Sequence, residues 1–236
     1  MLAYWGPVGI MWKTMAETTR PLLIFDFDGT LANTLETGIE IFNDLAESYG
    51  LHQITIEEAR ELRKLNTRAL LDHLGISRLM AVKLGAHIRK LLHERMDEVE
   101  MIVGAQQAVL ELHRSGFRLG VLSSNSADNV RMFLKRFGLL ECFGFIEAGV
   151  SLFGKPQRIL NVLKKLKVDP AQVMYVGDET RDMEAARKSK VSGLAVCWGA
   201  NGREAMETED PDFCIDDPVE LLRCAEEFES TPRPSA

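Results

Sequence analysis

The stretch LLIFDFDGT, Leu22 to Thr30, decides how the rest of the chain is read. Its apolar residues run together, stop at Asp26 and give way to a polar turn around Gly29. That is the profile of a buried strand that ends in a loop. A helical pattern follows from about Leu35 to Tyr49, with Ile39, Phe42, Leu45 and Ala46 on one face and Gly50 as its stop. Helical signals then continue. Thr55 and Glu58 make a capping box for a short helix, Thr67 opens another that ends near Gly75, and Ser77 opens a long one through about Val99. On that long helix the stripe Leu79, Val82, Ala86, Leu91 and Leu92 is expected to face a local core. No convincing strand falls between Gly50 and Val103.

From Gly104 the texture changes. A helix to Ser115 is followed by a strand at Arg118 to Leu122, a helix at Ala127 to Phe137, a strand at Gly144 to Glu147 and a helix at Pro156 to Leu166. The alternation continues with strand Val173 to Val176, helix Arg181 to Lys188, strand Gly193 to Cys197, a short strand around Phe213 to Ile215 and a last helix from Pro218. Strands alternating with helices imply crossover units and a parallel sheet covered on both faces. The expected fold class is therefore α/β, a doubly wound parallel-sheet core of Rossmann-like type with an all-helical cap inserted after the first strand. The expected boundaries are an extension at 1–19, a core at 20–34 and 103–228, the cap at 35–102 and a loose tail at 229–236, with hinges near Thr34 and Met101 to Gly104.

Composition narrows the function. A chain of 236 residues that is 46% hydrophobic can build a real core. With 28 basic residues against 35 acidic ones the net charge is −7, which repels a polyanion, so no nucleic-acid partner is expected. No apolar run approaches the roughly 18 residues of a membrane span. The first twelve residues are uncharged, but no basic residue precedes them and Gly6-Pro7 interrupts them, so they make a poor secretion signal. Cys142, Cys197, Cys214 and Cys224 form no C-x-x-C pair, which fits neither a disulfide framework nor a zinc site and suits a reducing, cytoplasmic setting. Cys197 falls in an apolar strand and is expected to be buried and inert.

In open α/β sheets, ligands bind beyond the carboxyl ends of the strands. Four such ends carry pointed chemistry here. Asp26-Phe27-Asp28-Gly29-Thr30 follows the first strand and Ser123-Ser124-Asn125-Ser126 the second, Gly154-Lys155-Pro156 follows the third, and Gly177-Asp178-Glu179-Thr180-Arg181-Asp182 the fourth. Clustered carboxylates repel one another unless a cation neutralises them, and an all-oxygen set favours Mg²⁺ over zinc or copper. A lysine and a hydroxyl beside free backbone N–H groups suit phosphate oxygens. A carboxylate can also act as a nucleophile and form an aspartyl-phosphate.

These residues resemble the haloacid dehalogenase (HAD) superfamily, whose ordered motifs stand here as DFDGT at 26–30, LSSNS at 122–126, GKP at 154–156 and GDETRD at 177–182. The closest flavour is the phosphoglycolate-phosphatase-like group with a helical cap. The resemblance implies Asp26 as nucleophile, Asp28 as general acid and base, Ser124 and Asn125 as the phosphate-binding turn, and Lys155 as the cation that offsets charge. It implies Mg²⁺ held by Asp26, by the backbone carbonyl of Asp28 and by Asp178, with Asp182 behind them holding metal-bound water. It also implies that the basic cluster Arg63, Lys64 and Arg68 lies in the cap loop that sets specificity. Local alternatives stand beside these roles. Ser124 and Asn125 could cap the next helix, Asp182 could complement a helix N-terminus, and Arg63, Lys64 and Arg68 could be a solvated helix end. His73, His87, His93 and His113 show no ligand spacing and read as surface or packing residues.

The function that follows is an Mg²⁺-dependent phosphatase for a small phosphorylated metabolite, a monomer or homodimer, with no membrane partner. The alternatives are a phosphomutase of the β-phosphoglucomutase type and a non-catalytic phosphate-sensing regulatory protein. A dehalogenase would leave Asp28 without a purpose.

Overall fold

The computed structural model describes residues 20–65, 67–149 and 154–231. Strand β1 (Leu22–Phe25) runs through the centre of a six-stranded, all-parallel sheet of order β3-β2-β1-β4-β5-β6. Its partners are β2 (Arg118–Ser123) and β4 (Val173–Gly177), in the registers Phe25↔Val121 and Phe25↔Val176. The outer strands are β3 (Phe145–Ala148), β5 (Ser192–Val196) and β6 (Phe213–Ile215). All four β1 side chains are buried, because successive residues of a strand face opposite sides of the sheet and helices cover both sides here.

Leu23 and Phe25 join one core layer, with Val109 and Leu112 of α5 (Ala105–Arg114), Val130 and Phe133 of α6 (Ala127–Arg136) and Phe228 of α10 (Leu221–Ser230). Leu22 and Ile24 join the other, with Ile159 and Val162 of α7 (Lys155–Leu166) and Ala185 of α8 (Thr180–Lys188). The chain proceeds outward from β1 to β3, then returns to the other side of β1 as β4. The crevice beyond the carboxyl ends of β1 and β4 is thus the topological switch point of the sheet.

Between β1 and β2, apart from isolated bridges, the regular elements among the described residues are helical. They are α1 (Thr34–Ala46), a 3₁₀ turn (Glu47–Tyr49), α2 (Ile56–Leu62), α3 (Thr67–His73), α4 (Arg78–Glu94) and α5, which returns to the core. Thr55 and Ser77 cap α2 and α4, accepting from the N–H groups of Glu58 and Met80, so that the Thr55 half of the expected capping box is present. The two crossings into and out of this segment pair with each other. Ala32 bridges Met101, Asn33 N–H donates to Glu100 O at 2.8 Å, and Ile102 N–H donates to Leu31 O at 3.0 Å.

Several expectations are corrected. Helix α4 stops at Glu94 and not near Val99, where Arg95 closes the turn onto the Leu91 and Leu92 carbonyls. Its buried stripe contains Leu84 and Leu92, with Ile88 and Leu91 packed partly buried against the core, whereas Leu79 and Val82 are 69% and 68% exposed. Two apolar stripes at helical spacing share this helix, and packing against α1 selects the second. A short helix, α9 (Arg203–Glu207), lies where none was expected, being too brief to show a period. Helix α10 continues to Ser230, so the segment expected as a tail begins helical, while 232–236 and the extension at 1–19 lie outside the described residues. The thiols of Cys197 and Cys214 lie 3.2 Å apart across neighbouring strands, and all four cysteines are free.

Candidate active site

The switch-point crevice collects the polar strand ends. Asp26, one residue beyond β1, is held by its own N–H to Val176 O at 2.8 Å, and its Oδ1 accepts from Phe27 N–H at 2.8 Å. Lys155, the first residue of α7, reaches over Tyr175 and places Nζ 2.7 Å from Asp26 Oδ2 and in contact with Asp182 Oδ1. Burial pulls this ammonium down, but the Asp182 and Asp26 carboxylates more than offset that and hold it well above its ordinary value. Asp182 also accepts from Glu179 N–H at 3.1 Å and completes the capping box of α8. Asp182 is thus a helix-capping residue, as its alternative reading expected, and its carboxylate also lies against Lys155.

Asp178 is buried and fully engaged. Its Oδ1 accepts from Thr30 Oγ1 at 2.9 Å and its Oδ2 from Ala200 N–H at 2.7 Å. Burial, then the Glu179, Asp182 and Asp26 charges, push this carboxyl well above the usual range. Gly29 makes the approach of Asp178 possible: its φ is +76°, and a Cβ there would overlap the Asp178 carboxylate.

Asp28 is partly buried at the mouth of the crevice. Asn125 donates Nδ2 to its Oδ1 at 3.0 Å and its Oδ2 at 3.3 Å. Asn125 Oδ1 in turn accepts from Ser126 N–H at 2.8 Å and from Asn129 Nδ2 at 2.9 Å. Asn129, fully buried, accepts on Oδ1 from His93 Nδ1 of α4 at 2.5 Å. Desolvation and the neighbouring Asp26 charge push the Asp28 carboxyl up to about 7. Adjacent carboxyls are thereby placed in different environments, the condition for one of them to work as a general acid.

The carboxylate oxygens of Asp26, Asp178 and Asp182 lie within 4.8 Å of one another, all buried. Among the described residues one ammonium, that of Lys155, pairs with this cluster, and no His or Cys belongs to it. Such a set fits a hard divalent cation. From Asp28 and Asp178 a cavity of about 380 Å³ extends into the helical segment between Phe42, Leu62, Leu70 and Ile88.

Residues 23–196 match the family model of the haloacid dehalogenase-like hydrolases. The chain belongs to that family. It is 34% identical, over 85% of its length and 95% of the relative's, to a phosphoglycolate phosphatase of Synechococcus elongatus. It is 28% identical to the pyrophosphatase PpaX of Bacillus anthracis, over 85% and 94% of the two chains. In fold it matches a haloacid dehalogenase-like hydrolase from Streptococcus pneumoniae, with a TM-score of 0.72 at 20% identity over 87% and 98% of the chains.

In this HAD-like hydrolase the structure gathers Asp26, Asp28, Asn125, Lys155, Asp178 and Asp182. Ser124 is exposed and makes no hydrogen bond among the described residues, whereas the buried Ser123 Oγ accepts from Asn125 N–H at 3.0 Å. The basic cluster does not converge. Lys64 pairs with Glu61 on the surface and Arg68 is exposed. Arg63 turns to the core, donating Nε to Gly199 O at 2.7 Å and Nη2 to Cys197 O, while its carbonyl accepts from Gly202 N–H at 2.9 Å. Sequence reasoning missed Asn201, whose Nδ2 donates to Leu65 O at 2.8 Å and whose Oδ1 accepts from Thr180 N–H at 3.0 Å. Its backbone N–H also donates to Asp178 O at 3.0 Å. The NG pair at 201–202 was the available signal, since such a pair marks a turn.

Proposed function

We propose that this HAD-like hydrolase is an Mg²⁺-dependent phosphatase that hydrolyses a small phosphate monoester through an aspartyl-phosphate on Asp26. The observation that carries the reading is the Lys155 ammonium set against Asp26 Oδ2 while Asp28, two residues on, is pushed up to about 7. A nucleophilic carboxylate, a cation for the phosphoryl oxygens and a carboxyl able to hold a proton near neutrality thus share one cleft.

Asp26 Oδ attacks phosphorus in line with the ester oxygen, and the P–O bond to the leaving group breaks. Asp28, held by Asn125, gives its proton to the departing alkoxide. The resulting Asp28 carboxylate then takes a proton from a water that attacks the aspartyl-phosphate, which releases inorganic phosphate and restores both carboxyls. Lys155 and the N–H groups of the turn after β2 bear the charge of the transferring group. Asp26, Asp178 and the Asp28 carbonyl, with Asp182 behind them, would hold Mg²⁺, which when bound supplies further positive charge to the phosphoryl oxygens. The helical segment above the cleft would exclude bulk water and read the leaving group.

Phosphoglycolate is the first ester to test, because the relative at 34% identity carries that name. Free thiols throughout and an acidic chain fit a cytoplasmic enzyme. No helix among the described residues is long and apolar enough to cross a membrane. The test is phosphate release from a panel of metabolite phosphates with and without Mg²⁺. The expected result is Mg²⁺-dependent release that Asp26→Asn abolishes; turnover by Asp26→Asn near the wild-type rate overturns the assignment.

A further inference from the structure

The cavity beyond the carboxylates has two unlike ends. Asp28, Asp178 and Glu179 line the end next to the phosphoryl site, Thr34, Arg63 and Asn201 are the other polar residues of the lining, and the rest apart from two glycines is aliphatic or aromatic. Phe42 and Leu62 line it as buried residues, and Ile39, Leu70 and Ile88 as partly buried ones. At about 380 Å³ it has room for roughly a dozen waters at about 30 Å³ each, far more than a two-carbon alcohol fills.

A leaving group that bears its own carboxylate, as glycolate does, needs a cation beside it. Arg63 is the one cation among the described lining residues, and its Nε and Nη2 are donated to the carbonyls of Gly199 and Cys197. The apolar wall, with Phe42, Leu62, Leu70, Leu74 and Ile88 in it, gives a second anion no hydrogen bond. An uncharged hydrocarbon group would instead remove that wall from water without leaving a polar group unpaired.

Given the phosphatase reading above, we propose that the leaving group is uncharged and apolar, so that this site takes phosphate monoesters of alkyl or aryl alcohols. The phosphate lies at Asp26 and Lys155 and the hydrocarbon fills the cavity between α1 and the helices that follow it.

The test is steady-state kinetics with Mg²⁺ on ethyl, butyl, hexyl and phenyl phosphate beside 2-phosphoglycolate. The expected kcat/KM rises about fourfold for each CH₂ added until the cavity is full. Gly38 supplies the paired variant. It lies in α1 and lines the cavity, and a Cβ there meets nothing within 4 Å. Gly38→Leu also raises helix propensity, which favours folding. It should lower the hexyl-to-ethyl ratio of kcat/KM at least tenfold. A flat or falling trend with chain length, phosphoglycolate turned over better than hexyl phosphate, or an unchanged ratio in Gly38→Leu overturns the apolar assignment and leaves the phosphatase reading standing. No release of phosphate from any ester overturns both.

Discussion

His93 of α4 and Asp28 of the core stand at the two ends of one chain of side-chain hydrogen bonds, linked by Asn129 and Asn125. The chain has a fixed direction. Asn125 commits its amide nitrogen to Asp28 and Asn129 commits its own to Asn125, so His93 Nδ1 must be the donor to Asn129 Oδ1. The helical segment is thereby attached to the group that clamps the proposed acid. In His93→Leu the buried Asn129 oxygen is left unsatisfied, at about 1 kcal/mol. We expect kcat to fall about fivefold with little change in KM, and His93→Gln, which restores an N–H donor, to recover most of it. Equal losses in kcat for both variants would refute the link.

The raised Asp28 carboxyl makes a prediction about stability. Below pH about 4 the folded and unfolded chains both hold its proton. Between about 4 and 7 the unfolded chain releases it and the folded chain keeps it, so stability falls with rising pH across that window and levels off above it. The loss is at most about 4 kcal/mol. Asp28→Asn cannot ionise. In the presence of a chelator it should melt several degrees above wild type at pH 8, the gap closing towards pH 5, while hydrolysis is lost. A gap that does not change with pH would argue against the assignment.

Lys155 balances Asp26 and Asp182, which are both buried. Removing one member of such a set leaves uncompensated charge at about 3 kcal/mol. Lys155→Met should lose that stability in urea unfolding at pH 8 and less of it at pH 5, where Asp182, pushed up to about 6 by burial, takes up its proton. Its kcat should fall about 10²-fold to 10³-fold, since a charge aimed at the transferring phosphoryl group is gone. A Lys155→Met enzyme within tenfold of wild type would remove this residue from the proposed chemistry.

Much of this arrangement is legible locally. Each strand is a short apolar run, and the residues just after β1, β2 and β4 fall at the sheet edge because the strands are parallel, so DFDGT, SSNS and GDETRD meet whatever the details of packing. Two of the misses share one cause, which is that a helix face or a long side chain has more than one place to go. Helix α4 carries two apolar stripes, and α1 chooses between them. Arg63 can point into the cleft or across to the 197–202 loop, and the Gly199 and Cys197 carbonyls draw it to the latter. His93 and Asn129 lie far apart in the chain, and nothing in the spacing of either announces their contact.

Gly29 offers the most direct test of how the turn after β1 serves Asp178. Its φ of +76° strains any other residue, by about 1–2 kcal/mol, and an added Cβ would overlap the Asp178 carboxylate, with Cγ at 2.8 Å. In Gly29→Ala the Asp178 side chain has to move away from Thr30 and from Ala200 N–H, its two hydrogen-bond donors here. Gly50 is the control. Its φ is +67°, but a Cβ there meets nothing within 4 Å, so Gly50→Ala carries the backbone strain without touching the site. Both variants should melt a few degrees below wild type when free of metal. Addition of Mg²⁺ should raise the melting temperature of wild type and Gly50→Ala, because an ion that binds only the folded chain stabilises it, and should leave Gly29→Ala unmoved. An equal Mg²⁺ response in all three proteins would show that Asp178 does not hold the ion.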